Sequence, residues 1–171
     1  MSVFEVRPAR MADATAYCDL FEAVAAERRW IGAEPPIDRD ALVASLQQAL
    51  TDEALLRVVA DAQGELAGLL GAELWHGIVS LGMCVAADWR GRGVGSALLE
   101  RCLGWAVARE AHKVTLQVWP HNEPAIALYE RYGFAVEGRL RRHYRRASGE
   151  LWDALIMGRV LADADRAQAS A

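Results

Sequence analysis

The chain has 171 residues, 53% of them hydrophobic and 25% charged, and its 19 basic and 23 acidic side chains give a formal net charge of −4. A domain of this length removes roughly 70% of its unfolded surface from water, so it holds a core without disulfides or metals. This composition excludes disorder as the main state and gives no general attraction to nucleic acid or anionic membranes. We expect one domain over residues 1–161 and a disordered tail over 162–171.

Apolar stretches and cysteines indicate the compartment. The longest apolar stretch, residues 66–74, falls far short of the roughly 20 residues that span a bilayer. The first residues lack the basic start, apolar run and cleavage site of a secretory signal, so we predict a cytoplasmic protein without a membrane partner. Cys18, Cys84 and Cys102 lack metal-ligand spacing, which predicts buried free thiols and no metal site.

Periodicity and turn residues predict the elements in the order βααβββαβαββ. Strands are predicted over 2–7, 55–60, 66–75, 78–85, 113–118, from 134 onward and over 151–160; helices over 10–28, after Asp38, after the glycine-rich segment and over 124–132. Residues 30–36 form a loop, because Pro35 and Pro36 cannot donate to a ladder. This order is typical of a mixed α/β fold of the α+β kind, with helices covering a largely antiparallel sheet.

A glycine-rich segment joins the fourth strand to the following helix. Gly91, Gly93 and Gly95 have no Cβ, so an anion can approach the backbone, and the helix N-terminus adds about half a positive charge. Arg90 and Arg92 add formal charge. Together these residues predict a diphosphate site.

Spacing excludes two classes of phosphate-binding protein. A Walker A loop needs a lysine after its glycines, and the one lysine of this chain is Lys113. A dinucleotide fingerprint needs a third glycine where Ser96 stands, and it opens a βαβ unit rather than following an antiparallel meander. Neither an NTPase nor a dinucleotide enzyme is therefore expected.

The spacing Arg90-x-x-Gly93-x-Gly95 resembles the signature of the GNAT superfamily of acyl-CoA-dependent N-acyltransferases. A second match, Asn122 and the segment 125–134, follows about 30 residues later, and the resemblance covers nearly the whole chain. It implies a central mixed sheet of about seven strands, splayed between the fourth and fifth, with about four helices. The end of the chain, from residue 137, is similar to the branch that acetylates amino acids and other small amines.

The resemblance implies a site for acetyl-CoA as co-substrate. The backbone of Met83, Cys84 and Val85 would pair with the pantetheine arm as an added strand, and Gly82 would suit a bulge there. The backbone N–H groups that would hold the diphosphate are those of Arg90, Gly91, Arg92, Gly93, Val94, Gly95 and Ser96.

Two side chains match the family's catalytic positions. Asn122 would hydrogen-bond pantetheine or the bound carbonyl; capping of the next helix is its alternative role, and both can hold. Tyr129 would protonate the leaving thiolate, with a purely core role as the alternative. The amine attacks directly, so no enzyme nucleophile is needed, and the N–H of Cys84 or Val85 would stabilise the oxyanion.

Acceptor recognition and the general base are less specific. Glu73, His76 and Asp153 are candidate bases, none favoured over the others. Trp30 and Ile31 could form an apolar wall, although Trp30 could equally close the core. The candidate acceptor-binding residues are Trp30, Ile31, Glu34, Glu73 and Asp153, with Arg28 and Arg29 as further charged side chains.

Five arginines lie within residues 139–146. Alternation would place Arg139, Arg141, His143 and Arg145 on one strand face, and a solvated hairpin paired with Glu137 and Glu150 is the favoured interpretation. Contact with the CoA 3′-phosphate, an acceptor carboxylate or nucleic acid is the alternative.

We predict an N-acetyltransferase that uses acetyl-CoA and acts on a primary amine of a small molecule, an amino acid or a related compound. No nucleic-acid partner is predicted. Acetylation of a protein N-terminus or lysine and a non-catalytic acyl-CoA-binding module are the alternatives. The resemblance also implies a possible homodimer.

Overall fold

A computed structural model describes residues 3–161, so the expected tail over 162–171 lies outside the described residues. The described strands are β1 Glu5–Pro8, β2 Leu55–Ala62, β3 Glu65–Trp75, β4 Ile78–Val85, β5 Lys113–Val118, β6 Ala135–Arg145 and β7 Leu151–Val160. The described α-helices are α1 Ala14–Ala26, α2 Arg39–Ala49, α3 Val94–Ala108 and α4 Glu123–Arg131. The predicted order is confirmed, and β4, β5 and β7 begin and end at the predicted residues.

The seven strands of the described chain form one sheet in the order β1-β2-β3-β4-β5-β7-β6. All neighbours are antiparallel except β4 and β5, which run parallel. These two strands pair only as far as Ser80 and Thr115, whereas β4 continues to Val85 and β5 to Val118. The strands therefore part after three paired positions, which confirms the predicted splay.

Helices cover both faces of the sheet. On one face, α1 and α2 bury Tyr17, Leu20, Val24 and Leu46 against Val59, Leu69 and Cys84. On the other face, α3 and α4 bury Leu98, Leu99, Cys102, Leu128 and Tyr129 against Val58, Leu70 and Val114. Each fully buried leucine contributes about 1.5–3 kcal/mol, so the two cores hold the strands rigidly around the point where β4 and β5 separate.

Three helices begin in different ways. Asp38 caps α2 as predicted, because its Oδ1 accepts from the N–H of Ala41 at 2.9 Å. The side-chain oxygen of Asn122 caps α4 by accepting from the N–H of Ala125 at 3.4 Å. No side chain caps α3, which follows Gly93 in a left-handed conformation. The first amides of α3 are therefore left for other acceptors.

The predicted free thiols are confirmed. Cys18, Cys84 and Cys102 are all buried and unpaired. Burial raises the pKa of Cys84 and of Cys102 to about 12, so both remain protonated at neutral pH. Within residues 3–161, no group of three His, Cys, Asp or Glu side chains could hold a metal, and no helix is long and apolar enough to cross a membrane.

The prediction of a bulge at Gly82 is wrong. The pairing of β3 with β4 runs without interruption from Gly68 opposite Val85 to Trp75 opposite Ile78. Gly82 lies opposite Gly71, and a Cβ at Gly82 would meet no atom within 4 Å. The missing side chain therefore leaves space above the sheet rather than bending the strand.

The arginine-rich strand is irregular. Leu140 lies opposite Ala154 and Tyr144 opposite Trp152, so β6 uses two more residues than β7 between these pairs. Arg142, in the extra segment, has a positive φ of 52°. The two extra residues preserve the order of faces, so Arg139 and Arg145 lie on one face as predicted, opposite Leu155 and Leu151. The predicted alternation is interrupted at Arg141 and His143, which lie in the unpaired segment.

A half-buried ion cluster joins the first strand to the rest of the sheet. The guanidinium of Arg7 donates to both carboxylate oxygens of Asp13, each at 2.8 Å, and to Oδ2 of Asp61 at 3.0 and 2.8 Å. The side chains of Arg7 and Asp13 are 13% and 12% exposed. Arg7 thereby connects β1 to the turn before α1 and to the end of β2.

We expect Arg7→Ala to lower the free energy of unfolding by about 3 kcal/mol, because it leaves two partly buried carboxylates without their cation. Urea denaturation followed by circular dichroism measures this change. The control is Arg10→Ala, at an exposed position three residues away, which should change stability by no more than about 0.5 kcal/mol. Equal losses in both variants would contradict the assignment.

Candidate active site

A cleft of about 1240 Å³ opens where β4 and β5 part. It is continuous from the glycine-rich turn before α3, past the end of β4 and the start of α4, to the face of the sheet beneath α2. Of the predicted site residues, those that line it are Trp30, Ile31, Glu73, Met83, Cys84, Val85, Arg90, Gly91, Gly93, Gly95, Ser96, Asn122 and Tyr129.

The turn before α3 presents unpaired amides to this cleft. Gly91 and Gly93 have φ values of 72° and 84°, and a Cβ on either residue would meet no atom within 4 Å. Among the described residues, no backbone or side-chain acceptor takes the N–H of Gly91, Arg92 or Gly93. The first three amides of α3 also lack intrahelical partners. These donors and the open space fit a diphosphate.

The side chains of Val94 and Arg92 do not line this cleft. Val94 is buried and packs towards Gly68, where an added Cβ would lie 2.8 Å from Val94 Cγ1. Arg92 lies over the Trp89 ring, with its guanidinium carbon 5.5 Å from the ring centroid. Val94 can therefore offer only its backbone amide, whereas Arg92 adds exposed positive charge beside the turn.

Arg90 forms a structural contact that its sequence position does not reveal. Its guanidinium donates to both carboxylate oxygens of Glu27, at 2.8 and 2.5 Å, and its Nε donates to the Val85 carbonyl at 3.1 Å. This contact lowers the pKa of Glu27. Arg90 therefore ties the end of α1 to the end of β4, and Glu27 neutralises much of the charge predicted for the diphosphate.

The last residues of β4 border the opening. Because pairing with β5 ends at Ser80, no strand of the described chain pairs with the later edge of β4 on that side. Met83, Cys84 and Val85 line the cleft along this edge, which suits an extended chain added as a further strand. The Val85 carbonyl already accepts the Arg90 hydrogen bond.

Asn122 serves the helix and still faces the cleft. Its oxygen caps α4, and its amide nitrogen has no hydrogen-bond partner within the described residues. The amide N–H groups are thus available to a ligand carbonyl. The two roles considered from the sequence are compatible.

Tyr129 is a core aromatic with an accessible hydroxyl. The residue is 6% exposed, and its ring centroid lies 5.7 Å from that of Phe134. No hydrogen bond to its hydroxyl occurs within residues 3–161, and no side-chain polar atom there is both fully buried and unpartnered. The hydroxyl is therefore open to the cleft that the residue lines. Burial raises the pKa of the phenol above its ordinary value.

Two predicted acceptor-binding residues are engaged away from the cleft. Glu34 accepts from the N–H of Ala147 at 2.9 Å and lies 3.4 Å from the Arg146 guanidinium. Asp153 accepts from Nε of Arg139 and from the N–H of Arg142, both at 2.7 Å. Neither carboxylate lines the cleft, because each is bound by cationic or backbone donors of the β6–β7 hairpin.

The predicted solvated hairpin is confirmed for its other four arginines, which are exposed, but Arg146 is buried. It is 4% exposed, its guanidinium carbon lies 4.5 Å from the Trp152 ring centroid, and it donates to the Gly32 carbonyl at 3.0 Å. This side chain fastens the loop after α1, which carries Trp30 and Ile31, to the hairpin. The predicted partner Glu137 is instead bound to Lys113 at 2.6 Å.

Glu73 is the one carboxylate among the cleft-lining residues of the described chain. It lies on β3 opposite Ser80, the last residue of β4 that pairs with β5. No ion pair or hydrogen bond engages Glu73 within the described residues. His76, another candidate base, lies in the turn after β3 against the Trp75 ring and outside this cleft.

The sequence matches a known protein family. The model of the acetyltransferase (GNAT) family matches residues 19–134, which is more than half of the chain. The chain belongs to the GNAT acetyltransferase family. Its sheet, its parallel β4–β5 pair and its helices have the GNAT fold, and the co-substrate of this family is acetyl-CoA.

Named relatives are similar over most of the GNAT domain. The L-amino acid N-acetyltransferase AaaT of Escherichia coli is 33% identical over 124 residues, covering 67% of this chain and 74% of the relative. A putative phosphinothricin acetyltransferase, YwnH of Bacillus subtilis, is 29% identical over 117 residues, covering 65% of this chain and 71% of the relative.

A solved structure shows the same fold. The phosphinothricin acetyltransferase of Sinorhizobium meliloti, solved in complex with acetyl-CoA, superimposes with a TM-score of 0.84 at 20% identity. The match covers 95% of this chain and 90% of the other.

We expect Gly93→Val to raise the Kd for acetyl-CoA at least about tenfold, because the side chain would fill space beside the amides that fit the diphosphate. Isothermal titration calorimetry measures the affinity.

The matched control is Gly64→Val, in the β2–β3 turn outside the cleft. Gly64 also has a positive φ, 99°, and open space around its Cβ position. Both variants introduce similar backbone strain, of about 1–3 kcal/mol, so only a direct role in binding separates their affinities. A folded Gly93→Val protein with unchanged affinity would contradict the assignment.

Proposed function

We propose that this protein is an N-acetyltransferase that transfers the acetyl group of acetyl-CoA to the primary amine of an amino acid or a related small molecule. The observation that carries the proposal is the continuous cleft, which is lined by the amide-rich turn, by Asn122 and Tyr129, and by the unpaired carboxylate of Glu73. The similarity to an enzyme named as an L-amino acid N-acetyltransferase supports the acceptor class.

The reaction proceeds by direct attack of the amine. Acetyl-CoA supplies a thioester carbonyl; a C–N bond forms at its carbon, the C–S bond breaks, and the electron pair leaves on sulfur. Covalent catalysis by cysteine would need a thiolate. The cleft-lining Cys84 has its pKa raised to about 12, which argues against a covalent acetyl-cysteine.

Two groups are positioned for the charge that develops on the carbonyl oxygen. The backbone of Cys84 and Val85 lies on the open edge of β4, and the free amide nitrogen of Asn122 faces the same cleft. Donors that are already oriented lower the barrier because they need no reorganisation during the reaction.

Tyr129 is proposed as the general acid. Burial keeps its phenol protonated across neutral pH, so the proton is in place when the thiolate leaves. The same poorly solvated surroundings disfavour a thiolate, which raises the affinity of the leaving sulfur for a proton. Transfer of the proton to sulfur would move the negative charge to the phenol oxygen of Tyr129, which regains a proton from the attacking nitrogen as the amide forms.

Glu73 is proposed as the proton acceptor. An α-ammonium group, with a pKa of about 8, or an alkylammonium group, with a pKa of about 10.4, must lose a proton before it attacks. Glu73 supplies a carboxylate in the cleft, either directly or through water, and no cation of residues 3–161 forms an ion pair with it. Asp153 is less suitable because Arg139 and Arg142 lower its pKa and occupy it.

A panel assay separates this proposal from the alternatives. CoA-thiol release from acetyl-CoA is followed with L-amino acids, polyamines, aminoglycosides and short peptides as acceptors. Release with small amines supports the proposal, whereas release with peptides alone indicates protein acetylation. Acetyl-CoA binding without release on any amine indicates a binding module. The homodimer implied by the resemblance stays a prediction.

We expect Tyr129→Phe to lower kcat by about 10²-fold with little change in acetyl-CoA affinity, because it removes the proton donor and keeps the ring. Steady-state kinetics and calorimetry give the two values. Tyr132→Phe is the matched control: its hydroxyl donates to Glu100 at 2.5 Å, outside the cleft, and its kcat should remain unchanged. Unchanged turnover in Tyr129→Phe would remove this residue from the mechanism.

We expect Glu73→Gln to lower kcat/KM at least about tenfold at pH 7 and progressively less as the pH approaches the pKa of the amine. Above that pKa the amine is already neutral and needs no base, so the loss should shrink. A pH profile of kcat/KM measures this effect. If Asp153→Asn shows this pattern and Glu73→Gln does not, the assignment to Glu73 is wrong.

A further inference from the structure

Arg57 reaches the cleft across a glycine. It lies on β2 opposite Gly71 of β3, which in turn lies opposite Gly82 of β4. A Cβ on Gly71 would be 3.4 Å from Cδ, Nε and Cζ of Arg57, so the guanidinium extends over this glycine. Gly82 also lacks a side chain, which leaves a hollow in the floor of the cleft. Arg57 lines the cleft, and its guanidinium borders this hollow.

The Arg57 guanidinium retains two N–H donors that no described residue accepts. Nη1 donates to the carbonyls of Leu56 at 2.8 Å and Ala72 at 3.2 Å, and Nη2 donates to Oγ of Ser45 at 2.8 Å. All three acceptors are neutral. Of the five N–H donors of an arginine, the Nε hydrogen and one Nη2 hydrogen therefore have no acceptor within the described residues.

Elsewhere in the chain, Nε and Nη2 of another arginine bind a carboxylate. Arg7 uses Nε and Nη2 to hold one carboxylate oxygen of Asp61, at 3.0 and 2.8 Å. Arg57 is half-buried, and no carboxylate of residues 3–161 lies within ion-pair distance of it. A half-buried arginine whose fork lacks an anion suits a carboxylate supplied by a ligand.

The charges in the cleft favour a zwitterion. Four charged residues of the described chain line it: Arg57, Glu73, Arg90 and Arg131. Arg90 is neutralised by Glu27, and Arg131 lies at the exposed end of α4. Arg57 and Glu73 remain on one face of the sheet, since Glu73 is two residues beyond Gly71 on β3. They offer a cation and an anion on neighbouring rows, diagonal positions roughly 7–8 Å apart.

We propose that Arg57 binds the α-carboxylate of an amino acid acceptor while Glu73 faces its α-amine. This inference rests on the proposed function and deepens it: the acceptor is an α-amino acid, and decarboxylated or amidated amines are disfavoured. The alternative is that Arg57 only fastens α2 to the sheet through Ser45.

The test compares each L-amino acid that the protein acetylates with its own α-carboxamide. We expect Arg57→Ala to lower kcat/KM for the amino acid by about 10- to 100-fold, the range for loss of a hydrogen bond to a charged group. For the carboxamide, Arg57→Ala should lower kcat/KM by less than about threefold, because this substrate has no negative charge for Arg57 to bind. Comparing variant with native protein within each substrate cancels the difference in amine pKa.

Two controls separate binding from folding. Arg101→Ala removes an exposed arginine from α3, on the opposite face of the sheet, and should leave both substrates unchanged. Ser45→Ala removes the hydrogen bond between Arg57 and α2 and keeps the two unused donors of Arg57. Any change in kcat/KM should therefore be the same for the amino acid and the carboxamide. If Arg57→Ala unfolds, Arg57→Lys retains the charge and should show a smaller selective loss.

Each result has one interpretation. A selective loss on the amino acid supports the inference. An equal loss on both substrates overturns it and leaves the proposed function in place, as does native protein that acetylates carboxamides or simple amines but no amino acid. Native protein that binds acetyl-CoA and acetylates no amine overturns the proposed function itself, and the inference with it.

Discussion

The parting of β4 from β5 is the constraint on which the rest of this molecule depends. A parallel pair that ends at Ser80 leaves strand edges without partners, and unmade backbone hydrogen bonds are costly unless water or a ligand satisfies them. The two cores keep the gap open because they hold β4 through α1 and α3 on opposite faces. An extended, amide-bearing ligand would complete the sheet and supply the missing partners.

Around this gap, arginine side chains mainly join separate segments of the chain. Arg90 ties the end of α1 to β4 through Glu27, and Arg146 ties the following loop to the β6–β7 hairpin. Both are multiply hydrogen-bonded, as suits a planar guanidinium with several donors. Trp30, held between these two attachments, can therefore form a wall of the acceptor end without occupying the core fully.

The elements and the turn before α3 were predictable because their signals are local: periodicity, caps and interleaved glycines. Trp30, Ile31 and Glu73 were also predicted at the acceptor end, but the long-range contacts that shape this end were not predictable. Arg90 meets Glu27 across 63 residues and Arg146 meets Gly32 across 114, distances at which no sequence pattern indicates contact. For the same reason the sequence did not distinguish Glu34 and Asp153, whose carboxylates are bound by arginines, from Glu73 as acceptor-binding residues. Arg57 gave no signal, because its role depends on two glycines of neighbouring strands.

The two ends of the cleft would bind their ligands through different kinds of group, backbone amides at one end and charged side chains at the other. The turn before α3 offers backbone amides, which can hold an anion whatever side chains surround it, whereas recognition of the proposed acceptor would depend on the side chains of Arg57 and Glu73. An amine without a carboxylate, bound there, would desolvate the two unused donors of Arg57 without replacing their water, a penalty of about 1–3 kcal/mol. Discrimination then arises from the group left unpaired rather than from extra contacts to the preferred substrate. Gly71 lets the Arg57 guanidinium lie close to the sheet, and the open space at Gly82 would let a short zwitterion lie beside it with its amine directed towards the gap.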